Sequence, residues 1–357
     1  MQIDGHHTLT YVISRLAGLD HEDADIVAYS AQYVDEATNT GVIKFDNGAM
    51  YHRTASAHKM MDYRNSDELA NHRVWVPFHF LPGNGGLPAG ENPDGKFIEK
   101  LICKPDSYTA RDMLKSMMGD KDKNYSLHRL GITLHVYADT FAHQGFSGVN
   151  HKINEVTELS SGNAENDDSF FEKMKNFFVS TMFPLGHGAS LSHPDKPFLS
   201  WSYIDGNGKA VERNNHPIFC DAADAMCRVV QCYIAKDESM KIGEQAGLSD
   251  EDKVLIGNLL AEFTSEDGDE RHAAWLDVIS SGAFAFGPVQ LEFKPKGDGS
   301  WKHQAISQEK EEDQDEDVFP YHADFLHSNW KLFHDALQAH RFDILHDVLP
   351  KYGICVA

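Results

Sequence analysis

Positive charge is scarce in this sequence of 357 residues, and the shortage excludes one large class of partners. Lysine and arginine total 32 against 55 aspartates and glutamates, which gives a formal net charge of −23. Proteins bind duplex nucleic acid largely through cationic side chains that displace counterions from the phosphates. A chain of this charge would repel such a polyanion. We therefore expect a small-molecule substrate and not duplex nucleic acid.

Long apolar runs and paired cysteines are also missing. No stretch approaches the roughly 18 consecutive apolar residues of a membrane-spanning helix. The first residues, MQIDGHHTLTYVISRLAG, lack the basic start and apolar run of a secretory signal. The five cysteines include no CxxC pair, which argues against a disulfide framework and against a thiolate zinc site. These features predict a cytoplasmic protein without a transmembrane segment.

The common loop motifs of catalysis are absent as well. The sequence contains no GxSxG, no Walker A loop and no GxGxxG followed by a βαβ pattern. Serine hydrolases, P-loop nucleotide hydrolases and Rossmann oxidoreductases therefore lack their usual signals here.

Apolar residues repeat at helical spacing along most of the chain. Residues 9–16 carry such a pattern and end at Gly18, a natural helix stop. A second helix follows Asp20 and ends near Asp35, and a strongly periodic stretch covers 126–143. Weaker helical patterns include 51–62 and 169–181. The sequence therefore predicts an all-α fold class, mainly helical with long loops.

Composition along the chain suggests one main domain with an interruption near its end. Residues 1–293 are expected to form a helical metal-binding domain. Residues 294–317 have few core-forming side chains and a block of acids, which predicts a mobile loop. Residues 318–357 are expected to form a C-terminal helical hairpin that packs on the same domain.

Histidine is abundant, with 21 residues, and its most specific pattern lies in one helix. His135, Asp139 and His143 follow each other at intervals of four, so they share one helix face. The surrounding residues are apolar, and buried imidazoles and carboxylates are costly unless something satisfies them. A divalent metal would do so. The alternative is a His–Asp–His hydrogen-bond network without metal.

One helix supplies too few ligands for a complete site, so others must come from elsewhere. Asp4 and His6 alternate in IDGHH, which would place both on one side of an extended segment. The full set of candidate ligands consists of acids and imidazoles in apolar or tightly turned contexts: Asp4, His6, Asp35, His79, His135, Asp139, His143, His187 and Asp195. Imidazole nitrogens and carboxylate oxygens suit zinc, manganese or iron.

The order of these residues resembles the zinc-dependent phospholipase C and P1 nuclease superfamily. The resemblance implies a mainly helical fold with a cluster of three zinc ions in a cleft. We therefore expect two or three zinc ions here, with manganese or iron as the alternatives. It matches His6 to the early ligand, His135 and Asp139 to the central helix pair, and Asp139 to the metal-bridging carboxylate. The remaining matches are Asp35, His79, His143, His187 and Asp195.

The chain departs from that superfamily at its start. Those enzymes use the amino group of an N-terminal tryptophan as a ligand, whereas this sequence begins Met1-Gln2-Ile3-Asp4. Either Asp4 takes over the role, or the third ion is missing. Over most of its length the chain more closely resembles an uncharacterised family of bacterial and fungal proteins. Its hallmarks include YSAQYVDEATN, WVPFHFLPGN and HVYADTFAHQGFSG, and they convey no activity.

The favoured function is a metal-dependent hydrolase that acts on a phosphoester. Asp139 and Asp35 are the residues assigned to catalysis, because a bridged metal pair can polarise the ester and activate water. Arg53, His58 and Arg213 are candidates for binding the substrate anion. Two alternatives stay open: a non-haem iron enzyme of a biosynthetic pathway, and a non-catalytic protein that the metal stabilises.

Overall fold

The computed structural model describes residues 1–58, 67–161, 186–307 and 317–357. The helices are α1 (Thr10–Ala17), α2 (His21–Glu36), α3 (Glu68–Phe78), α4 (Ile98–Leu101), α5 (Tyr108–Gly119), α6 (Ser126–Ala142), α7 (Asn215–Ala235), α8 (Asp250–Glu262), α9 (Gly268–Ser281), α10 (Trp301–Ile306) and α11 (Asn329–Phe342). The strands are β1 (Gly41–Phe45), β2 (Met50–Arg53), β3 (Val156–Ser161), β4 (Ser200–Asp205), β5 (Ala210–Asn214) and β6 (Val318–Phe319). The predicted helix at 169–181 and most of the acidic segment after residue 307 lie outside the described residues.

Two three-stranded sheets make the fold class mixed α/β, so the all-α prediction is wrong. One sheet has the order β2-β1-β6, in which β1 runs antiparallel to β2 and parallel to β6. The other has the order β3-β4-β5 and is antiparallel throughout. The helix predicted over 51–62 is also wrong at its start, because β2 occupies Met50–Arg53.

Tight turns account for the strands that helical periodicity missed. The chain reverses between β1 and β2 through Asp46-Asn47-Gly48, and between β4 and β5 through Gly206-Asn207-Gly208. Gly48 and Gly208 have φ of 85° and 80°, a backbone conformation that favours glycine. Such Asn-Gly turns between short strands are typical of hairpins. Each hairpin is short, so its apolar alternation is weak beside the helical pattern around it.

The first two helices agree with the sequence prediction. Helix α1 ends at Gly18, whose φ of 114° closes the helix in the left-handed conformation. The Asp20 side chain accepts a hydrogen bond from the Asp23 N–H and caps α2, which continues to Glu36. This places Asp35 at the C-terminal end of a helix whose inner face is buried.

Helix α6 lies at the centre of the described structure. Every residue from His128 to Ala142 is buried, and the helix packs against α2, α5, α7 and α11. The closest approach is to α2 at Gly131, where a Cβ atom would overlap the carbonyl oxygen of Val27 and come 2.7 Å from the Cβ of Ser30. The small residue therefore lets α2 and α6 touch backbone to backbone. Among the described residues, no helix has the length and apolar character needed to cross a bilayer.

Gly131→Ala should force α2 and α6 apart. The clash involves backbone atoms that cannot rotate away, so we expect a loss of about 1–3 kcal/mol in the free energy of unfolding. Urea denaturation followed by circular dichroism measures it. Gly119→Ala is the matched control, because a Cβ atom there meets nothing within 4 Å. Equal stability of the two variants would contradict the close helix contact.

Candidate metal centre

Helix α6 supplies the middle of a His/Asp cluster. His135 and Asp139 lie one turn apart on its buried face, and His143 is the first residue after its end. The backbone of His143 leaves the helix with φ of −91° and ψ of 13°, while its N–H still donates to the carbonyl of Asp139 at 2.8 Å. All three side chains are buried. The sequence placed them on one helix face, and the structure keeps them together.

The other donors come from the ends of separate elements. Asp35 lies next to the end of α2, and His79 follows the last residue of α3. His6 belongs to a π-helical turn, Asp4–Leu9, that runs into α1. His187 and Asp195 lie at two short 3-10 turns before β4. Because these residues lie at the ends of helices and in short turns, their polar groups meet at one place although no helix buries an entirely polar face.

These side chains form two groups of potential ligand atoms. In the first, His6, Asp35 and His135 offer one atom each within 4.8 Å of one another, and so do His79, His135 and Asp139. In the second group the same holds for His143, His187 and Asp195. The arrangement offers two neighbouring positions at which His nitrogens and Asp oxygens could hold a metal ion.

Asp139 joins the two groups. Its Oδ1 lies 3.2 Å from His6 Nε2, and its Oδ2 lies 3.3 Å from His135 Nε2 and 3.5 Å from His79 Nδ1. The same Oδ2 lies 3.5 Å from the ring of His143, which begins the second group. Asp139 therefore belongs to the first group of ligand atoms and touches the second through Nδ1 of His143, on the side of the ring that carries the proton.

Four histidines have one ring nitrogen fixed by a backbone carbonyl. Nδ1 of His135 is 2.8 Å from the Ala31 oxygen, and Nε2 of His79 is 2.8 Å from the Ser56 oxygen. Nδ1 of His143 and of His187 meet the carbonyls of His79 and Leu191 at 2.9 and 2.7 Å. Because a carbonyl only accepts, each of these nitrogens must carry the proton. The other nitrogen of each neutral ring therefore presents a lone pair.

Sequence reasoning missed the α-amino group of Met1. It donates to Asp139 Oδ1 at 2.6 Å and lies 3.1 Å from Asp195 Oδ1, so it contacts both groups. Burial disfavours its charged form, but the two carboxylates outweigh burial and raise the pKa of this amine to about 11. A backbone group has no side-chain pattern to detect. The superfamily resemblance drew attention to the terminal amine, but the sequence analysis considered Asp4 in its place.

The electrostatics of the cluster favour ionised carboxylates at Asp139 and Asp195 and neutral rings at His6 and His187. Burial alone would raise the pKa of Asp139 and Asp195, but the imidazoles and the amine around them hold both pKa values well below the usual range. Burial and the neighbouring His135 lower the pKa of His6 to about 3, and burial lowers that of His187 to about 4. The pKa of His79 is raised, because the carboxylates of Asp139 and Asp35 outweigh its burial.

Asp4 lies apart from the cluster. The π-helical turn replaces the expected extended segment, and residues two apart in a helix do not face the same way. The Asp4 carboxylate pairs with Arg271 of α9, at 2.6 Å from Nε and 3.2 Å from Nη2. Both side chains are buried. The geometry gives Asp4 a structural partner in place of a metal.

The three predicted substrate-binding residues have different surroundings. Arg53 is buried on β2 and donates to the Thr40 carbonyl at 2.9 Å. Arg213 donates to the carbonyls of Ala142 and Gln144 at 2.8 and 3.2 Å, so it satisfies the end of α6. His58 is buried, with its ring 6.3 Å from Trp75, whose ring lies 5.1 Å from that of His79. Of the three, His58 is connected to the cluster through an aromatic contact.

Asp4→Asn should destabilise the fold without emptying the cluster. The substitution leaves the guanidinium of Arg271 buried without a countercharge, which typically costs about 3–5 kcal/mol. Urea denaturation measures this loss, and elemental mass spectrometry of the folded variant should give the metal content of the unchanged protein. The double variant Asp4→Asn/Arg271→Gln should recover part of the stability. If the folded Asp4→Asn variant lost its metal, Asp4 would have to be counted among the metal ligands after all.

Comparison with known proteins identifies a family but no activity. A family model described as a family of unknown function, DUF6765, matches residues 1–348. No curated protein and no solved structure matches the chain. The expected membership of an uncharacterised family is thus confirmed, while nothing here supports the resemblance to the phospholipase C and P1 nuclease superfamily. Because the match covers nearly the whole sequence, the chain belongs to the DUF6765 family.

Proposed function

We propose that this protein is a metal-dependent hydrolase whose His/Asp cluster holds two divalent ions, zinc in the first place. The observation that carries the proposal is the direction of the imidazole lone pairs. Nε2 of His143 and of His187 lie 3.0 and 3.4 Å from the oxygens of Asp195, although the opposite nitrogen of each ring already carries the proton. With neutral rings, two hydrogen-bond acceptors would face each other at these contacts.

The same conflict occurs around Asp139. Nε2 of His135 and Nδ1 of His79 face its Oδ2 and also lie 3.2 Å from each other. With both rings neutral these acceptors would repel, and the repulsion is relieved either by a bound cation or by the extra proton that the raised pKa of His79 favours. Among the described residues, the α-amino group of Met1 is the fixed positive charge that contacts the carboxylates of Asp139 and Asp195. Divalent metal would resolve the conflict, since the orienting carbonyls are the usual outer partners of metal-binding histidines.

Access from solvent favours a catalytic role over a purely structural one. The Asp35 side chain is 33% exposed and that of His187 is 20% exposed, whereas Asp139 is buried. The cluster therefore opens to solvent beside each metal position. A divalent ion held there would lower the pKa of a bound water toward 7 and polarise an ester oxygen. Asp35 lies where its carboxylate could accept a proton from that water.

A phosphoester is the substrate class that we favour. The order of His6, Asp35, His79, His135 and Asp139 is similar to that of the zinc phospholipase C and P1 nuclease superfamily, and hard phosphoryl oxygens suit a divalent pair. The net charge of −23 favours a small substrate over a long polynucleotide. A cytoplasmic location is part of the same proposal.

Asp139→Asn tests the proposal, because the amide keeps the shape of the carboxylate but loses its charge and one ligand oxygen. We expect the purified protein to contain about two ions per chain and the variant to lose most of them. Hydrolysis of bis(4-nitrophenyl) phosphate or 4-nitrophenyl phosphate should fall by about a hundredfold or more. Elemental mass spectrometry and absorbance assays measure the two effects. Asp250→Asn, an exposed residue of α8, is the matched control.

Other outcomes have distinct meanings. Iron together with oxygen-dependent turnover would favour the non-haem iron alternative. Bound metal without hydrolysis of either ester would favour the alternative of a non-catalytic protein that the metal stabilises. A protein without metal after purification and after reconstitution with zinc or manganese would contradict the metal centre itself.

A further inference from the structure

We propose that a cavity between α3 and α11 binds a small anionic amphiphile, with a phosphate or carboxylate head on an apolar stem. The cavity has a volume of about 460 Å³. Its polar lining comes from Arg73 of α3, Gln338 and Arg341 of α11, His346, and Ala357 at the end of the sequence. No role in the metal centre is assigned to these residues, so this site is independent of the proposed hydrolase.

The two arginines form an unneutralised pair. Neither guanidinium has an ion-pair or hydrogen-bond partner among the residues that the structure describes. Partial burial, together with the charge of Arg73, lowers the pKa of the Arg341 guanidinium to about 10. Ala357 also lines the cavity, but its carboxylate forms no ion pair with either arginine. In a chain with 55 acidic residues, two neighbouring arginines that pair with no carboxylate of the described residues are unexpected. Guanidinium groups match phosphate and carboxylate oxygens in two-point contacts, so an anionic ligand would supply the missing charge.

Carboxylates close in sequence have other partners. Asp343, two residues after Arg341, accepts hydrogen bonds from Arg129 at 2.7 Å and from Ser116 at 2.6 Å. Asp67, six residues before Arg73, caps α3 by accepting from the Ala70 N–H at 2.8 Å. Glu68, five residues before Arg73, is exposed and lies 4.0 Å from Nε2 of His72. None of these three acids pairs with either arginine.

The apolar residues of the cavity indicate that the rest of the ligand is apolar. Leu69, Leu345 and Phe342 also line the cavity, and Leu69 and Phe342 are 55% and 58% exposed. Exposed side chains of this size beside a charged pocket can cover an apolar stem. The volume falls in the range of small-molecule sites. A membrane surface or a nucleic acid would need a broad basic face, which the net charge of −23 disfavours.

Isothermal titration calorimetry of the full chain with octyl phosphate, octanoate and inorganic phosphate tests the proposal. We expect saturable binding of the two amphiphiles and weaker binding of inorganic phosphate. Arg341→Gln and Arg73→Gln should each weaken amphiphile binding about tenfold or more. Phe342→Ser should weaken octyl phosphate but not inorganic phosphate. Arg111→Gln is the control, because Arg111 is exposed and already paired with Asp106.

Folding of the variants is checked by thermal melting. Arg341→Gln removes an unneutralised charge, so its melting temperature should equal or exceed that of the unchanged protein. If it melts lower, Arg341→Lys replaces it, and that variant should show intermediate affinity. No saturable binding of any probe would overturn the proposal, as would binding that persists in both arginine variants. Equal losses with Arg111→Gln, or affinity unaffected by Phe342→Ser, would also count against it.

Discussion

An ionised carboxylate in the interior, that of Asp139, is the constraint on which the rest of the site depends. Removing a carboxylate from water costs several kcal/mol unless charges and hydrogen bonds surround it. Helix α6 contributes the ring of His135, and His143 follows just after its end, but the remaining contacts come from other elements. The π-helical turn with His6, the end of α3 with His79 and the α-amino group of Met1 all converge on this one group. Groups from three separate parts of the chain therefore stabilise the buried charge of Asp139.

The packing of α2 on α6 serves the site in two ways. Gly131 allows the two backbones to touch, and this contact brings the Ala31 carbonyl to Nδ1 of His135. The same helix then delivers Asp35 to the exposed side of the cluster, 3.9 Å from Nε2 of His135. One helix contact therefore sets both the direction of a ring and the position of a carboxylate. A substitution that alters this buried contact between α2 and α6 would therefore change the positions of both groups at the site.

The parts of the structure that could be predicted from the sequence are those with a local sequence pattern. Polar residues at helical spacing in an apolar stretch, such as His135 and Asp139, conflict with burial and so attract attention. The short strands were missed because their signal lies in turns such as Asp46-Asn47-Gly48. The Asp4–Arg271 pair and the carbonyls that orient the histidines join residues far apart in sequence. No local pattern records such contacts, since only the fold brings them together.

Helices α3 and α11 connect the metal centre with the arginine cavity. The last backbone hydrogen bonds of α3 go to the Trp75 carbonyl, which leaves the Pro77 carbonyl free to accept from Nε2 of His340 at 2.9 Å. Burial lowers the pKa of His340 well below its usual value, so it binds as a neutral donor. Its contact fixes the chain two residues before His79, while the next residue, Arg341, lines the cavity. Carboxylate side chains are in excess on one side of this contact and guanidinium side chains on the other, so two neighbouring regions of one acidic protein differ in the sign of their local charge.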